Sequence, residues 1–113
     1  MKDYTTWTKF EINKAVAEFE GLKISKNQYR EFGDRDGNCV LVDMHNVGDT
    51  VVDYCNNPSD TWPIIFDNRL CITASLSDDY WVASHARKEI ECRHKNPLVA
   101  AMIVYLMIKD AEK

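Results

Sequence analysis

The chain has 113 residues, 45% of them apolar and 28% charged, with 18 acids against 14 bases and a net charge of −4. This size suits a single domain, and such a chain buries roughly two thirds of its unfolded surface without needing staples. A phosphate backbone demands clustered Lys and Arg, which this sequence lacks, so DNA and RNA are excluded as partners; DNA mimicry would need a denser acidic surface.

The N-terminal stretch "MKDYTTWTKFEINK" is polar and has no signal-peptide apolar core. With no export signal, the four cysteines (Cys39, Cys55, Cys71 and Cys92) are expected as reduced thiols in a cytosol. Their gaps of 16, 16 and 21 residues contain no CxxC or CxxH pair, which gives zinc no spacing support. Cys39, Cys55 and Cys71 adjoin apolar residues and are expected to act as small core side chains.

The first predicted element is an amphipathic helix from about Thr8. "TKFE" has the form of a capping box, in which Thr8 accepts from the Glu11 amide and Glu11 reaches back. Ile12, Ala15, Val16 and Phe19 form its apolar stripe, and Gly21 suits a left-handed C-cap. "LKIS", "NCVLVDM" and "TVVDY" read as strands, with turns at Gly33–Asn38 and His45–Thr50.

"PSDTWPIIFDN" predicts a short central helix. Proline fits a helix in its first turn, so Asp60 is expected as N-cap with Pro63 at the third helical position. Trp62, Ile65 and Phe66 would then share a face, and Ile65 and Phe66 would enter the core. "LCITAS", "YWVASH" and "EIECRH" follow as an antiparallel meander, with Ser77, Asp78 and Asp79 in the first connection.

The last helix, "NPLVAAMIVYLMIKD", has Asn96 as N-cap and Pro97 at the first helical position. Every residue from Leu98 to Ile108 is apolar, yet eleven residues span only about 16 Å, too short for a bilayer. A helix apolar all round must be covered all round, either inside the fold or by a partner subunit. The fold class is therefore α+β: a mainly antiparallel sheet with an N-terminal, a central and a buried C-terminal helix.

Chemistry-bearing patterns are sparse. Counting twelve positions from Asp34 in "GDRDGN" reaches His45, where a calcium loop needs a bidentate Glu, so a hairpin turn is the better reading. His45, His85 and His94 show no HExxH or paired spacing, and nothing supplies an oxyanion hole to Cys92 with His94. Gly21, Gly33, Gly37 and Gly48 are too dispersed for a phosphate loop. No metal, cofactor or catalytic constellation is expected.

What remains is "YCNNPSDTWPII", Tyr54 to Ile65. Its aromatic, amide and hydroxyl groups, Asn56, Asn57, Ser59, Asp60 and Trp62, with Trp81 as a neighbour, suit a small planar polar ligand. The structural alternative is that Asn and Ser make a turn, Asp60 caps and Trp62 fills the core. Asp60 at a helix N-terminus already occupies an anion's place, which speaks against a phosphate there.

Three segments, "FEINKAVAE", "YCNNPSDTWPIIFDNRL" and "NPLVAAMIVYLMI", resemble the NinX-like proteins of lambdoid and related bacteriophages over about half the chain. The element order is also similar to that of phage α-β-α sandwich domains. The resemblance implies a small phage accessory protein, made in the cytoplasm of the bacterial host, of unsettled role and with no catalytic residues to carry over. Two functions follow as expectations. One is a non-catalytic binding protein that sequesters a small nucleotide-like host defence signal. The other is a modulator of a host protein, using exposed aromatics such as Tyr80 and Trp81 or the apolar C-terminal helix. Either is compatible with a homodimer, and no membrane partner is expected.

Overall fold

The computed structural model describes residues 3–25, 39–44 and 48–112. After a 3-10 turn at Tyr4–Thr6 come helix α1 (Lys9–Phe19), strands β1 (Lys23–Ile24), β2 (Val40–Met44) and β3 (Gly48–Val52), and helix α2 (Pro58–Asp67). Strands β4 (Leu70–Ala74), β5 (Trp81–His85) and β6 (Glu91–His94) and helix α3 (Pro97–Ala111) complete the chain. The fold is α+β with antiparallel pairing throughout, and the strands form two three-stranded sheets, β1-β2-β3 and β4-β5-β6.

Local sequence fixes the helix ends. Thr8 and Glu11 form the complete capping box of α1, the Glu11 amide donating to Thr8 Oγ1 at 3.1 Å and the Thr8 amide to Glu11 Oε1 at 2.9 Å. Past Phe19, the Gly21 amide bonds the Glu18 carbonyl and the Leu22 amide bonds the Ala17 carbonyl, a Schellman ending. That ending needs a left-handed residue, and Gly21 supplies it at φ 81°. At α3, Asn96 Oδ1 accepts from the amides of Leu98 and Val99, and Pro97 sits where no intrahelical donor is required.

Helix α3 is the centre of the molecule. It lies on the β4–β6 sheet, and its other sides meet α1, α2 and the Tyr4–Thr6 turn. Val99 to Leu106 and Ile108 are all buried, so the C-terminal helix is covered by the fold itself. Helix α1 packs in turn on β1 and β2, where Val40 and Val42 are fully enclosed. At roughly 1.5–3 kcal/mol for each fully buried large aliphatic side chain, α3 carries a dominant share of the hydrophobic stabilisation. Two hydroxyls tether its C-terminal half: Tyr105 donates to Glu20 Oε2 at 2.6 Å, and Tyr4 donates to the Asp110 carboxylate.

Three expectations need correction. The strand expected at Thr50–Tyr54 runs from Gly48 to Val52, because the backbone turns at Asp53, whose carbonyl accepts from the Asn56 and Asn57 amides. Cys71 is exposed, whereas Cys55 and Cys92 are buried and Cys39 is half-buried. Leu70 and Ile72 point to α3, and strand alternation sends Cys71 to the outer face opposite Ser84. The third correction concerns α2 and is taken up with the site. The turn expected at Gly33–Asn38 lies outside the described residues, as does the first half of the His45–Thr50 turn.

Candidate functional site

Helix α2 begins three residues earlier than its sequence suggests. Asn57, not Asp60, is the N-cap: its Oδ1 accepts from the Ser59 amide at 3.0 Å, and Pro58 takes the first helical position. Two prolines competed for that first turn, and Pro58 occupies it. Pro63 is consequently inside the helix, where it removes one backbone donor. Asp60 stands in the first turn, and its Oδ2 accepts from the Asp53 amide at 3.0 Å.

Packing against α3 and β4 sets which face of α2 is buried. Thr61, Ile64 and Ile65 turn inward. Thr61 Oγ1 fixes that face by donating to the carbonyls of Tyr54 at 2.5 Å and Asn57 at 2.9 Å. Trp62 and Phe66 lie one residue further round, on the outer face, with 62% and 71% of their surface exposed. Ile65 enters the core as expected and Phe66 does not; Trp62, for which a core place was only the structural alternative, stands exposed. With Ser59, Pro63 and Asp67, all exposed, Trp62 and Phe66 make a continuous outer stripe at helical spacing.

The segment before α2 is the hub of a polar network. Asn13, fully buried on α1, donates through Nδ2 to Asp53 Oδ1 at 2.9 Å and accepts at Oδ1 from the Cys55 amide at 3.0 Å. Asn56 donates to both Asp53 carboxylate oxygens, at 3.3 and 3.0 Å, and accepts from Lys9 Nζ at 3.2 Å. Asn96, while capping α3, donates to the Cys55 carbonyl at 3.0 Å. Three asparagines thus clamp the β3–α2 connection to α1 and to the start of α3, while Asn57 caps α2. None of the described buried side-chain nitrogens or oxygens lacks a partner.

Trp81 reaches the edge of this hub by another route. It pairs with His94 across β5 and β6, on the face of the sheet that carries the buried Ala83 and Cys92. His94 Nδ1 accepts from the Asn96 amide at 2.9 Å. Asn56, Asn57 and Asp60 therefore belong to one connected network, and Trp81 is only the cross-strand neighbour of His94 at its edge. Ser59 and Trp62 lie on the opposite, outward side of α2.

Burial keeps the thiols, the tyrosine hydroxyl and the imidazole in and around the hub towards their neutral forms. Burial, with the Asp53 carboxylate adding to it, pushes the Cys55 thiol up to about 12. Burial also raises the Cys92 thiol, with Asp3 contributing. A thiol nucleophile needs the opposite shift. Desolvation, followed by the charge of Lys9, holds His94 below its ordinary value. Burial and then the charges of Glu20 and Asp60 push the Tyr54 hydroxyl up to about 12.

Among the described residues, no group of three His, Cys, Asp or Glu side chains could hold a metal ion. A shallow groove of about 300 Å³ lies away from the hub, lined by Ser84, Lys88, Glu89, Ile90 and Glu91. No described helix is long and apolar enough to cross a membrane.

Asn13 escaped the sequence reading, although its signal was present. It falls on the buried stripe of α1 between Ile12 and Val16, and a polar residue on an apolar face has a partner to meet. The exposed Phe66 was missed because large aromatic residues were expected in the core.

Neither the curated proteins nor the solved structures include a match to this chain. The family model described as "Bacteriophage P22, NinX" matches residues 3–109, nearly the whole of the chain's 113 residues. The "NNPSDTWP" segment that builds the hub and starts the outer stripe lies within that match, and the chain belongs to the bacteriophage P22 NinX family.

Proposed function

We propose that the chain is a non-catalytic phage accessory protein of the bacterial cytoplasm that docks on a host protein through the outer face of α2. The observation that carries this reading is the exposure of Trp62 and Phe66, one turn apart on a convex helix face with Pro63 between them. Large aromatics are enriched at the centres of protein interfaces, where they bury much area at little entropic cost. The hub beneath holds this face rigid, which lowers the cost of docking. The apolar C-terminal helix is spent on the core and offers no free face.

Sequestration of a small nucleotide-like signal by Asn56, Asn57, Ser59, Asp60, Trp62 and Trp81 has less support. The amides of Asn56 and Asn57 and the carboxylate of Asp60 are already engaged with the chain's own backbone and side chains. Trp62 stands on a convex face, where a planar ligand would find one wall and no enclosure. The non-catalytic reading draws support from the raised thiols of Cys55 and Cys92.

The test compares the wild-type chain with a Trp62→Ser, Phe66→Ser variant in affinity capture from host lysate. Circular dichroism confirms that both are folded, and light scattering gives their oligomeric state. The expected result is a stoichiometric host protein held by a monomeric wild type and lost by the variant. Wild-type dimers that the variant dissolves would replace the host protein with a second copy of the chain. Heat on calorimetric titration with cyclic or linear nucleotides, abolished in the same variant, would restore the small-ligand reading.

A further inference from the structure

The turn at Tyr4–Thr6 is a small closed piece with one deep anchor. Asp3 accepts from the Thr5 amide at 3.1 Å and from the Thr5 hydroxyl. The Thr6 hydroxyl donates to the Asp3 carbonyl at 3.0 Å, and the Trp7 amide to the Tyr4 carbonyl at 3.1 Å. Each of these bonds lies inside the turn and survives if the turn moves as a unit. From Asp3 to Thr8, Tyr4 is the one buried residue, at 2% exposure. The turn packs on α3, the Tyr4 ring meets the Trp7 ring edge-on with centroids 4.6 Å apart, and the Tyr4 hydroxyl donates to Asp110. Asp3 is close enough to Cys92 on β6 for its charge to raise that thiol.

The turn ends at a ready hinge. Trp7 (φ −78°, ψ 148°) and Thr8 (φ −73°, ψ 160°) are both extended, and the Thr8–Glu11 capping box completes the start of α1 without residues 3–7. Release would therefore leave α1 intact. The buried Tyr4 ring and its bond to a carboxylate favour the closed turn, while the entropy of ordering five residues opposes it. These opposing terms are similar in size, whereas α3 is held by nine buried side chains. A segment so balanced belongs to the low-stability end of a fold.

We propose that residues 3–7 form a strap over α3 that swings open as a unit about Thr8, with Tyr4 as its latch. Opening uncovers the side of the core next to Cys92 while the rest of the fold stays closed. The closed strap denies that apolar surface to other molecules, and the open one presents it together with the freed Tyr4 and Trp7 rings. This device is independent of the docking role of α2.

The test uses two readouts on the full chain. In native-state hydrogen exchange of the wild type, the Trp7 amide should exchange roughly a hundredfold or more faster than those of Tyr105 and Leu106. Low urea should hardly accelerate Trp7 but should accelerate the two α3 amides, because only their opening exposes much surface. In maleimide labelling without denaturant, Tyr4→Ala should speed modification of Cys92 by roughly tenfold or more and leave Cys55 protected. Tyr4→Phe keeps the ring and loses the bond to Asp110, so it should fall between the wild type and Tyr4→Ala. A shared urea dependence of Trp7 and the α3 amides, an equal gain at Cys55 and Cys92, or no gain at Cys92 in either variant would overturn the inference.

Discussion

Asn13 Nδ2 donates to Asp53 Oδ1 at 2.9 Å, tying the middle of α1 to a turn forty residues away. The same side chain accepts from the Cys55 amide, so one amide group satisfies a donor and an acceptor in a dry interior. Asn13→Ala should cost about 1–3 kcal/mol for the stranded Cys55 N–H, and more for the Asp53 oxygen it abandons. Asn13→Asp should be worse, because it exchanges the donor facing Asp53 for a second carboxylate. Urea denaturation of the three proteins, with m held constant, measures both differences.

Pro63 gives the opposite sign. In the interior of a helix, proline is about 3 kcal/mol less favourable than alanine. Pro63 is exposed, so nothing in the core depends on its ring. Pro63→Ala should therefore raise stability by about 1–3 kcal/mol and lift the thermal midpoint. An unchanged midpoint would mean that α2 already relaxes around the proline.

Cysteine labelling follows the burial order. Cys71 stands on the solvent face of β4, whereas Cys55 and Cys92 are buried and their thiols are pushed up. Native protein treated with a maleimide at neutral pH should be modified first at Cys71, and at Cys55 and Cys92 only after denaturant is added. Peptide mass spectrometry checks the order, and Cys71→Ser should remove the first event.

His94 predicts a pH dependence. Desolvation and the nearby Lys9 lower its pKa in the folded state, so the folded chain resists a proton that the unfolded chain accepts. The unfolded state then binds more protons, and stability rises with pH. Stability at neutral pH should be lost as the pH falls below about 6.5 towards the lowered folded value. His94→Asn keeps an acceptor near the Asn96 amide and removes the titration. Thermal midpoints between neutral and mildly acidic pH should fall less steeply in that variant.

The sequence was most legible where the determinants are local. Thr8 with Glu11, and Asn96 with Pro97, each place a donor or acceptor within three residues of the group it satisfies, so α1 and α3 begin where expected. The start of α2 was harder, because Pro58 and Pro63 both fit a first helical turn. Only the outcome at Asn57 decides between them. The division of the strands into two sheets depends on what α1 and α3 cover, which is a property of packing and not of any strand's own pattern. Of the expected site residues, Asn56, Asn57 and Asp60 are bound into the hub and Trp81 borders it through His94. Trp62 faces solvent because Thr61, Ile64 and Ile65 form the face that α2 turns inward, with α3 and β4 the elements it packs against.

Every strand of the β4–β6 sheet precedes the helix that covers it. As the chain leaves the ribosome, Leu70, Ile72, Ala83 and Cys92 can be paired into a meander while the face they share still meets water, since α3 follows in sequence. A meander paired at that stage would keep its α3-facing side uncovered until residues 97–108 arrive to pack on it. Expression yield, more than equilibrium stability, should be where damage to α3 first appears.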